Sequence, residues 1–418
     1  MKTIGMVSLG CPKNLVDSEA ILADFTRKGF KVIDEASKAD VVVVNTCAFI
    51  EDAKRESIDM ILDLIELKKQ GRIKKIIVSG CLPQRYEKIL RKEMPQIDVF
   101  GGVRKFNKVD PDQRLLITPK HYAYVKISEG CNNKCSYCVI SKIRGEYKSR
   151  SKEAVLKEIN TIYKDSLKEI NLISQDLTYY GMDLYGRFAL AELLRSMNKD
   201  IKWIRLLYAH PAHFTDELIN VIKNTHNICK YVDLPVQHIS DKILKLMGRK
   251  VTKKDILALI SKLRKNIPGI AIRSSLIVGS PGETEKDFNE LMKFIKDIKF
   301  ERLGIFTYSR EEDTPAYNFK GQVSDKIKKS RFDEAMKLQQ DVSKEVNANF
   351  IGRKLEVLID EKQNDGVYIG RTYADAPEVD GQVFVKVGAN GHTPLQVGNF
   401  VDVIITDTLE YDLVGEVV

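Results

Sequence analysis

The run Cys131-Asn-Asn-Lys-Cys135-Ser-Tyr-Cys138 puts three thiols into eight residues at a C-x3-C-x2-C spacing. Thiolates so close together can wrap one face of a four-iron cluster and leave the fourth iron without a protein ligand. An open iron can chelate neighbouring amino and carboxylate groups, such as those of S-adenosylmethionine (SAM). An electron from the cluster then cleaves the sulfonium bond. A structural zinc site competes with this reading, but zinc wants four ligands, usually paired C-x2-C units or two histidines. Neither His121 nor His210 is spaced to complete such a set.

Three more cysteines share a different pattern. Cys11, Cys47 and Cys81 end the segments MVSLGC, VVVVNTC and IIVSGC, each after a short apolar run. Such runs read as buried parallel strands, and their carboxyl ends lie on one sheet edge, where ligands bind. Three cysteines placed equivalently converge there into a second metal-binding trio. The competing reading is three small buried side chains, a common fate of cysteine. The chain has seven cysteines in all; an odd number, without an export signal, argues for thiolates rather than a disulfide framework. Cys229 fits no pattern and reads as core or surface.

The elements that must position these residues follow from periodicity. Strands are expected at Lys2–Ser8, Asp40–Thr46 and Lys74–Ser79, alternating with helices Asn14–Lys28, Asp52–Lys69 and Pro83–Lys92. That alternation predicts a doubly wound parallel sheet. A polar stretch with Pro111 and Pro119 reads as a linker. Six further strands are expected at Tyr124–Ser128, Glu169–Ser174, Trp203–Tyr208, Tyr231–Leu234, Ala271–Val278 and Arg302–Thr307. Between them fall helical stretches, Lys152–Asp165, Phe188–Met197, Thr215–Asn224, Thr252–Lys265 and Glu285–Ile298. This predicts a full or partial (β/α) barrel, reactive at the carboxyl ends of its strands. A long helix, Lys326–Asn349, leads out of it. From Arg353, short alternating stretches broken at Asp365-Gly366, Asp380-Gly381 and Asn390-Gly391 predict a small antiparallel β-barrel of the OB-like kind. The fold class is therefore α/β with a C-terminal β-barrel.

Composition agrees with a multidomain globular chain: 418 residues, 43% hydrophobic and 30% charged. No window approaches the roughly 18 consecutive apolar residues of a membrane span. The start MKTIGMVSLGCPKN carries no small-residue cleavage pattern, so a cytoplasmic protein is expected.

Taken together, SLGCPKNLVDSE, NTCAFIEDAK, SGCLPQRY, KISEGCNNKCSYCVISKIRGEYKSR, QDLTYYG, LPVQHI, LKLMGR and IVGSPGETE resemble the methylthiotransferases, a radical-SAM family. The resemblance runs through essentially the whole chain. It is strongest to the branch that modifies an aspartate of the small-subunit ribosomal protein S-twelve. It implies three domains: a methylthiotransferase domain at 1–112 with an auxiliary cluster, a radical-SAM domain at 117–350 and a TRAM domain at 351–418. It also implies two [4Fe-4S] clusters, one on Cys131, Cys135 and Cys138 and an auxiliary one on Cys11, Cys47 and Cys81. SAM would yield a 5′-deoxyadenosyl radical that takes hydrogen from an unactivated carbon, the aspartate β-carbon. The auxiliary cluster would deliver the sulfur, and a further SAM the methyl group. A flavodoxin or ferredoxin is the implied electron donor. Monomer is the default oligomeric state.

Six residues are candidate SAM contacts. Tyr137, the aromatic before the last cysteine, is placed near the adenine by the resemblance. Ser174, Gln175, Asp233, Arg273 and Ser275 are expected at carboxyl ends of later strands. Arg273 could pair with the SAM carboxylate or form a barrel-wall salt bridge. The turn Gly279-Ser-Pro-Gly-Glu283 could lie under the nucleoside. ISQD stands where the superfamily's glycine-rich motif is expected, which leaves the amino-group ligand open. His210 and His238 follow strands, a position that structural histidines also take. The basic run Lys142–Arg150 suits an anionic partner or a solvated face equally.

Charge discriminates between substrates. Residues 351–418 hold five basic against twelve acidic side chains, a net of −7, so the total of +9 leaves +16 for the rest. A barrel of that charge repels a nucleic-acid backbone and suits a basic protein. The expected substrate is therefore the ribosomal protein rather than a transfer-RNA adenosine, the alternative within the family. A reading from another class, a binding module with structural metal, separates by colour. Two iron clusters make an anaerobic preparation brown, whereas zinc leaves it colourless.

Overall fold

In the computed structural model, the residues described are 2–103, 114–163, 166–363, 366–387 and 395–418. Pro111, Asp165, Asp365 and the Asn390-Gly391 pair lie outside them. The N-terminal sheet is β1 (Thr3–Ser8), β2 (Lys31–Val32), β3 (Val41–Thr46), β4 (Lys75–Gly80) and β5 (Val99–Phe100). Its order is β2-β1-β3-β4-β5 and every pairing is parallel. Three of these strands were expected. β2 and β5 are two residues long, too short for a periodic signal. Strand β3, VVVVNT, is buried along its whole length, as both faces of a parallel sheet are when helices cover them. Those helices are α1 (Pro12–Arg27), α2 (Glu51–Lys69) and α3 (Cys81–Glu93).

The barrel strands are β6 (Tyr122–Lys126), β9 (Glu169–Ile173), β10 (Trp203–Leu206), β11 (Tyr231–Asp233), β12 (Ala271–Val278) and β13 (Arg302–Thr307). A small antiparallel pair, β7 (Ser128–Glu129) and β8 (Lys148–Ser149), lies beside them. They form two parallel three-stranded sheets, β10-β9-β6 and β11-β12-β13. The sheets are stitched where Ile204 N–H donates to Asn227 O (2.7 Å) and Cys229 N–H to Ile204 O (2.9 Å). Among the described residues nothing pairs β6 with β13, so the barrel is partial and open on one side. Helices Lys152–Ile162, Leu190–Arg195, Asp216–Asn224, Lys253–Asn266 and Glu285–Ile298 cover its outer face. Two of them start with full capping boxes, Thr252 with Asp255 and Thr284 with Asp287. Helix Asp325–Ala348 packs beside the last of them, tied by Arg331 to Glu283 (2.9 Å).

The C-terminal barrel comprises β14 (Lys354–Lys362), β15 (Val367–Arg371), β16 (Val383–Lys386), β17 (Phe400–Thr408) and β18 (Leu413–Val417). It closes in the order β14-β15-β16-β18-β17. One pairing, β16 with β18, is parallel rather than antiparallel; five strands cannot alternate direction all the way round a closed barrel.

Asp380-Gly381 is not the tight turn expected. It ends a loop, residues 372–382, that enters the amino end of the central barrel. Arg205 Nη1 donates to Tyr373 O (2.5 Å), Tyr122 Oη to Glu378 Oε1 (2.9 Å) and Tyr231 Oη to Asp380 Oδ2 (2.7 Å). Arg302 Nε meets Asp375 Oδ1 (2.7 Å), and Arg371 Nη1 meets Glu169 Oε2 (2.8 Å). Ala374 and Ala376 pack among Tyr122, Tyr124, Trp203 and Tyr231. Tyr122, Glu169, Trp203 and Tyr231 all begin their strands, so the amino end is closed and the carboxyl end is left for chemistry. Two acids of the −7 segment, Asp375 and Asp380, are thereby buried in ion pairs. Among the described residues no helix is long and apolar enough to cross a membrane.

Candidate functional site

Cys11 is the N-cap of α1, Cys81 the first residue of α3, and Cys47 follows the last residue of β3. All three thus stand at the carboxyl edge of the N-terminal sheet, as expected. Two tight glycines set this edge. Gly10 has φ +87, and a Cβ there would lie 2.7 Å from Cys47 Cβ. Gly80 has φ +97, and its Cβ would lie 2.6 Å from Thr46 O and closer still to Asn45 Oδ1. Gly80→Ala is therefore expected to destabilise the chain by on the order of 3 kcal/mol. Gly71→Ala is the control: φ is +74, but nothing lies within 4 Å, so only about 1 kcal/mol of strain is expected. Thermal unfolding of both variants checks the difference.

Burial pushes the Cys47 thiol up to about 11, reinforced by Cys11, and the Cys81 thiol up to about 12, opposed by Arg144. The neighbouring loop behaves alike: burial raises Cys131 to about 11 and Cys138 to about 12, with the charge of Cys135 adding to both. A bound metal reverses that preference, because a coordinating thiol gives up its proton. Cys229 is buried 4% exposed in the barrel core, raised by burial to about 12, and joins neither trio.

Arg144 connects the two trios. Cys131 N–H donates to Gly145 O (3.1 Å), which fixes the first cysteine of the loop beside α4 (Ile140–Arg144). From there Arg144 Nη1 reaches Glu129 Oε1 (3.0 Å) and Asp17 Oδ2 (3.1 Å), and Nη2 reaches Asn14 Oδ1 and Cys81 Sγ (3.9 Å). Lys126 Nζ completes the cluster on Asp17 and on Glu129 Oε2 (2.6 Å). Two cations and two carboxylates, all nearly inaccessible, thus join helix α1 to the barrel mouth. Lys126 and Arg144 hold the Glu129 carboxyl at about 2 against the upward push of burial. The basic run Lys142–Arg150 is therefore not one solvated face: Arg144 turns inward, and Arg150 binds Glu158.

Above the barrel, Lys13 of α1 lies with its Nζ 2.8 Å from the centroid of the Tyr208 ring. Burial pulls its ammonium down to about 8, opposed first by Cys11. Tyr208 adopts φ 65, a conformation rare for a bulky side chain. Its N–H donates to Asp233 Oδ2 (2.9 Å), and its carbonyl accepts from Leu177 N–H (2.9 Å).

The six SAM-contact candidates divide. Ser174 Oγ accepts from Asp176 N–H (3.0 Å). Asp233 pairs with Arg273 (3.0 Å). Arg273 is not at the carboxyl end of its strand. It is the third residue of β12, level with the end of the short β11, and it also binds Asp380 (3.1 Å). The barrel-wall salt bridge is what the structure contains. Ser275 makes no side-chain hydrogen bond among the described residues and is partly accessible. Tyr137 lines a narrow apolar cleft with Met247, Ser280 and Pro281, so the loop of the second trio meets the Gly279–Glu283 turn. Gln175 Nε2 donates to Glu129 Oε1 (2.7 Å), while its buried Oε1 has no partner.

Sequence reasoning missed Glu129, Arg249 and Asp176. Arg249 Nη1 lies 3.8 Å from Cys135 Sγ, and its Nη2 donates to Pro235 O (2.6 Å). Asp176 receives Asn133 Nδ2 (2.7 Å) from inside the C-x3-C loop and pairs with His213 Nδ1 (2.8 Å). No local spacing signals these contacts. His210 and His238 serve as structural residues. Their Nδ1 atoms accept from Ala212 N–H (3.2 Å) and Ser240 N–H (3.0 Å), and burial lowers them to about 3 and about 4.

Comparisons with known proteins follow the same division of the chain. Residues 3–102 match the Uncharacterized protein family UPF0004, residues 125–295 the Radical SAM superfamily and residues 351–418 the TRAM domain. The ribosomal protein uS12 methylthiotransferase RimO of Clostridioides difficile (strain 630) is 46% identical over 443 aligned positions, covering 100% of this chain and 99% of the relative. The protein of that name from Caldanaerobacter subterraneus subsp. tengcongensis is 48% identical over 442 positions, covering all of both chains. Among solved structures, the radical S-adenosylmethionine methyltransferase TsrM of Kitasatospora setae aligns over 76% of this chain and 77% of its own. Its TM-score is 0.55 at 14% identity, a likeness of fold.

Proposed function

The chain belongs to the family of ribosomal protein uS12 methylthiotransferases, radical-SAM enzymes, and from that premise we propose that it adds a methylthio group to the β-carbon of an aspartate of uS12. Family membership implies a [4Fe-4S] cluster and SAM. We assign that cluster to Cys131, Cys135 and Cys138, and a second, auxiliary one to Cys11, Cys47 and Cys81. The domain bounds that accompany this assignment are 1–112, 117–350 and 351–418.

The residues fit these groups. Each trio offers three thiols and, among the described residues, no fourth protein ligand, which suits a cluster with one open iron. The unpartnered Gln175 Oε1 is a buried acceptor beside the loop of Cys131, suited to the SAM amino group that the absent glycine-rich motif leaves without a ligand. Ser275, whose hydroxyl is unengaged among the described residues, and Tyr137, whose side chain meets Cys135, are the remaining candidates for SAM. Bound together, the cofactors supply homolytic cleavage of SAM and transfer of sulfur to carbon, chemistry no side chain can perform. The protein's own part is positional. The 372–382 loop closes the amino end of the barrel, Arg144 fixes one trio against the other, and Asn133 is clamped by Asp176 so that the C-x3-C loop keeps its shape.

The observation that carries the reading is Arg144, which joins Glu129 beside one trio to Cys81 of the other. That link would hold a cluster on Cys11, Cys47 and Cys81 in fixed relation to one on Cys131, Cys135 and Cys138. For the partner, we infer that the exposed acids Glu361, Asp407, Glu410 and Glu416 of the C-terminal barrel meet the basic protein, since Asp375 and Asp380 are spent inside. A flavodoxin or ferredoxin is the proposed electron donor. Mass spectrometry tests the reading. Enzyme reconstituted without air, SAM and a reductant are incubated with uS12 in one tube and unmodified tRNA in another. A methylthio group on an aspartate with tRNA untouched is expected; modified tRNA alone would overturn it.

A further inference from the structure

Seven lysine and arginine residues are buried among the described residues: Lys13, Lys126, Arg144, Arg205, Arg302, Arg331 and Arg371. Six of them meet a carboxylate, at Asp17, Glu129, Glu169, Asp375 or Glu283. Lys13 does not. It is 7% exposed, and among the described residues its ammonium makes no hydrogen bond or ion pair, resting only on the Tyr208 ring. Burying a charge without a partner is costly, and natural interiors pair such groups. A cation left unpaired at the mouth of an active barrel is a cation whose partner arrives with the ligand.

The nearby anions are already committed. Asp233 is taken by Arg273 and the Tyr208 N–H; Glu129 and Asp17 are taken by Lys126 and Arg144. Cys11, the remaining anionic neighbour, would be taken by the auxiliary cluster proposed above. The position is also specific. Lys13 lies two residues after Cys11, with its ammonium over Tyr208 in the loop that follows β10. Tyr208 is held in its strained conformation by its N–H donating to Asp233 Oδ2 and its carbonyl accepting from Leu177 N–H, so its ring is a fixed platform under the ammonium. A cation on an aromatic face keeps its other side free for an acceptor.

We propose that Lys13 is the carboxylate anchor for the target aspartate. This rests on the protein-directed reading above and says how the site recognises its residue. A carboxylate oxygen at charge-assisted hydrogen-bond distance from Nζ places the aspartate β-carbon about 4 Å away, on the side of the ammonium that Tyr208 leaves open. A neutral nucleobase has no anion to offer the same ammonium. Lys13 thus selects for an acidic side chain where the exposed surface selects only for a basic protein.

The test uses the full holo chain, wild type, Lys13→Met and Lys13→Arg, with intact uS12 and with uS12 whose target aspartate is replaced by asparagine. Binding is measured in the absence of reductant. Wild type is expected to prefer the aspartate form about tenfold to a hundredfold. Lys13→Met should bring the two forms to near-equal affinity, and Lys13→Arg should restore part of the preference. Unchanged iron content and circular dichroism in Lys13→Met would show that the fold is intact. A Lys13→Met chain that keeps the wild-type preference overturns the anchor alone. So does one that loses affinity for both forms equally, because Lys13 would then serve some other anion. Wild type that binds neither form while modifying tRNA overturns the function proposed above and the anchor with it.

Discussion

Alanine at Cys11, Cys47 and Cys81 together is expected to abolish methylthio transfer while leaving 5′-deoxyadenosine production intact, whereas alanine at Cys131, Cys135 and Cys138 abolishes both. The reason is topological. The first trio sits on the carboxyl edge of a sheet built from residues 3–100, and the second on a loop between β7 and α4. Each can therefore be altered without unfolding the other's scaffold. Removing a group that reacts, rather than one that orients, costs more than about a thousandfold in rate. Each triple variant should also lose about half the iron of the reconstituted chain, measured alongside product by mass spectrometry. A chain lacking the first trio that still transfers a methylthio group would show that the sulfur comes from elsewhere.

The second large effect is expected at Arg144. Replacing it with alanine leaves Asp17 and Glu129 facing a single lysine in a site from which water is excluded. Breaking a buried ion pair by deleting one partner costs about 3–5 kcal/mol, because the surviving charge keeps its desolvation penalty. The thermal midpoint of the unit that contains α1 and the barrel mouth should fall by roughly 5–10 °C. Arg144→Lys should fall between the two, since an ammonium can neutralise the carboxylates but cannot fork to Asn14 and Cys81 at once. A wild-type midpoint in Arg144→Ala would mean that the network does not join α1 to the barrel.

Much of this was legible in the sequence because it is local. The VVVV run of β3 and the six barrel strands follow from periodicity over a few residues. Ala271–Val278 and Arg302–Thr307 were placed to the residue. The C-x3-C-x2-C spacing names its own chemistry because the three ligands sit on one loop. The first trio was readable only through a fold argument: three strand ends separated by more than thirty residues each converge only if the strands are parallel neighbours.

What the sequence could not decide is which charges meet. Arg273 reads from its strand as a ligand for SAM or a wall salt bridge equally; because β11 is short and the 372–382 loop supplies Asp380, the guanidinium is spent on the wall. Arg144 and Arg150 read as part of a basic surface run, yet they turn inward to Glu129 and Glu158. The acidic count of the last domain reads as surface charge, yet Asp375 and Asp380 close the barrel floor. Lys13 is an ordinary lysine in CPKN until Tyr208, some two hundred residues on, is found beneath it. Secondary structure and ligand spacing depend on neighbours along the chain, and the sequence alone determined them. The pairing of buried ions depends on groups brought together from different domains in a low-dielectric interior, where one added or missing partner reverses the balance. Only the tertiary structure decided that.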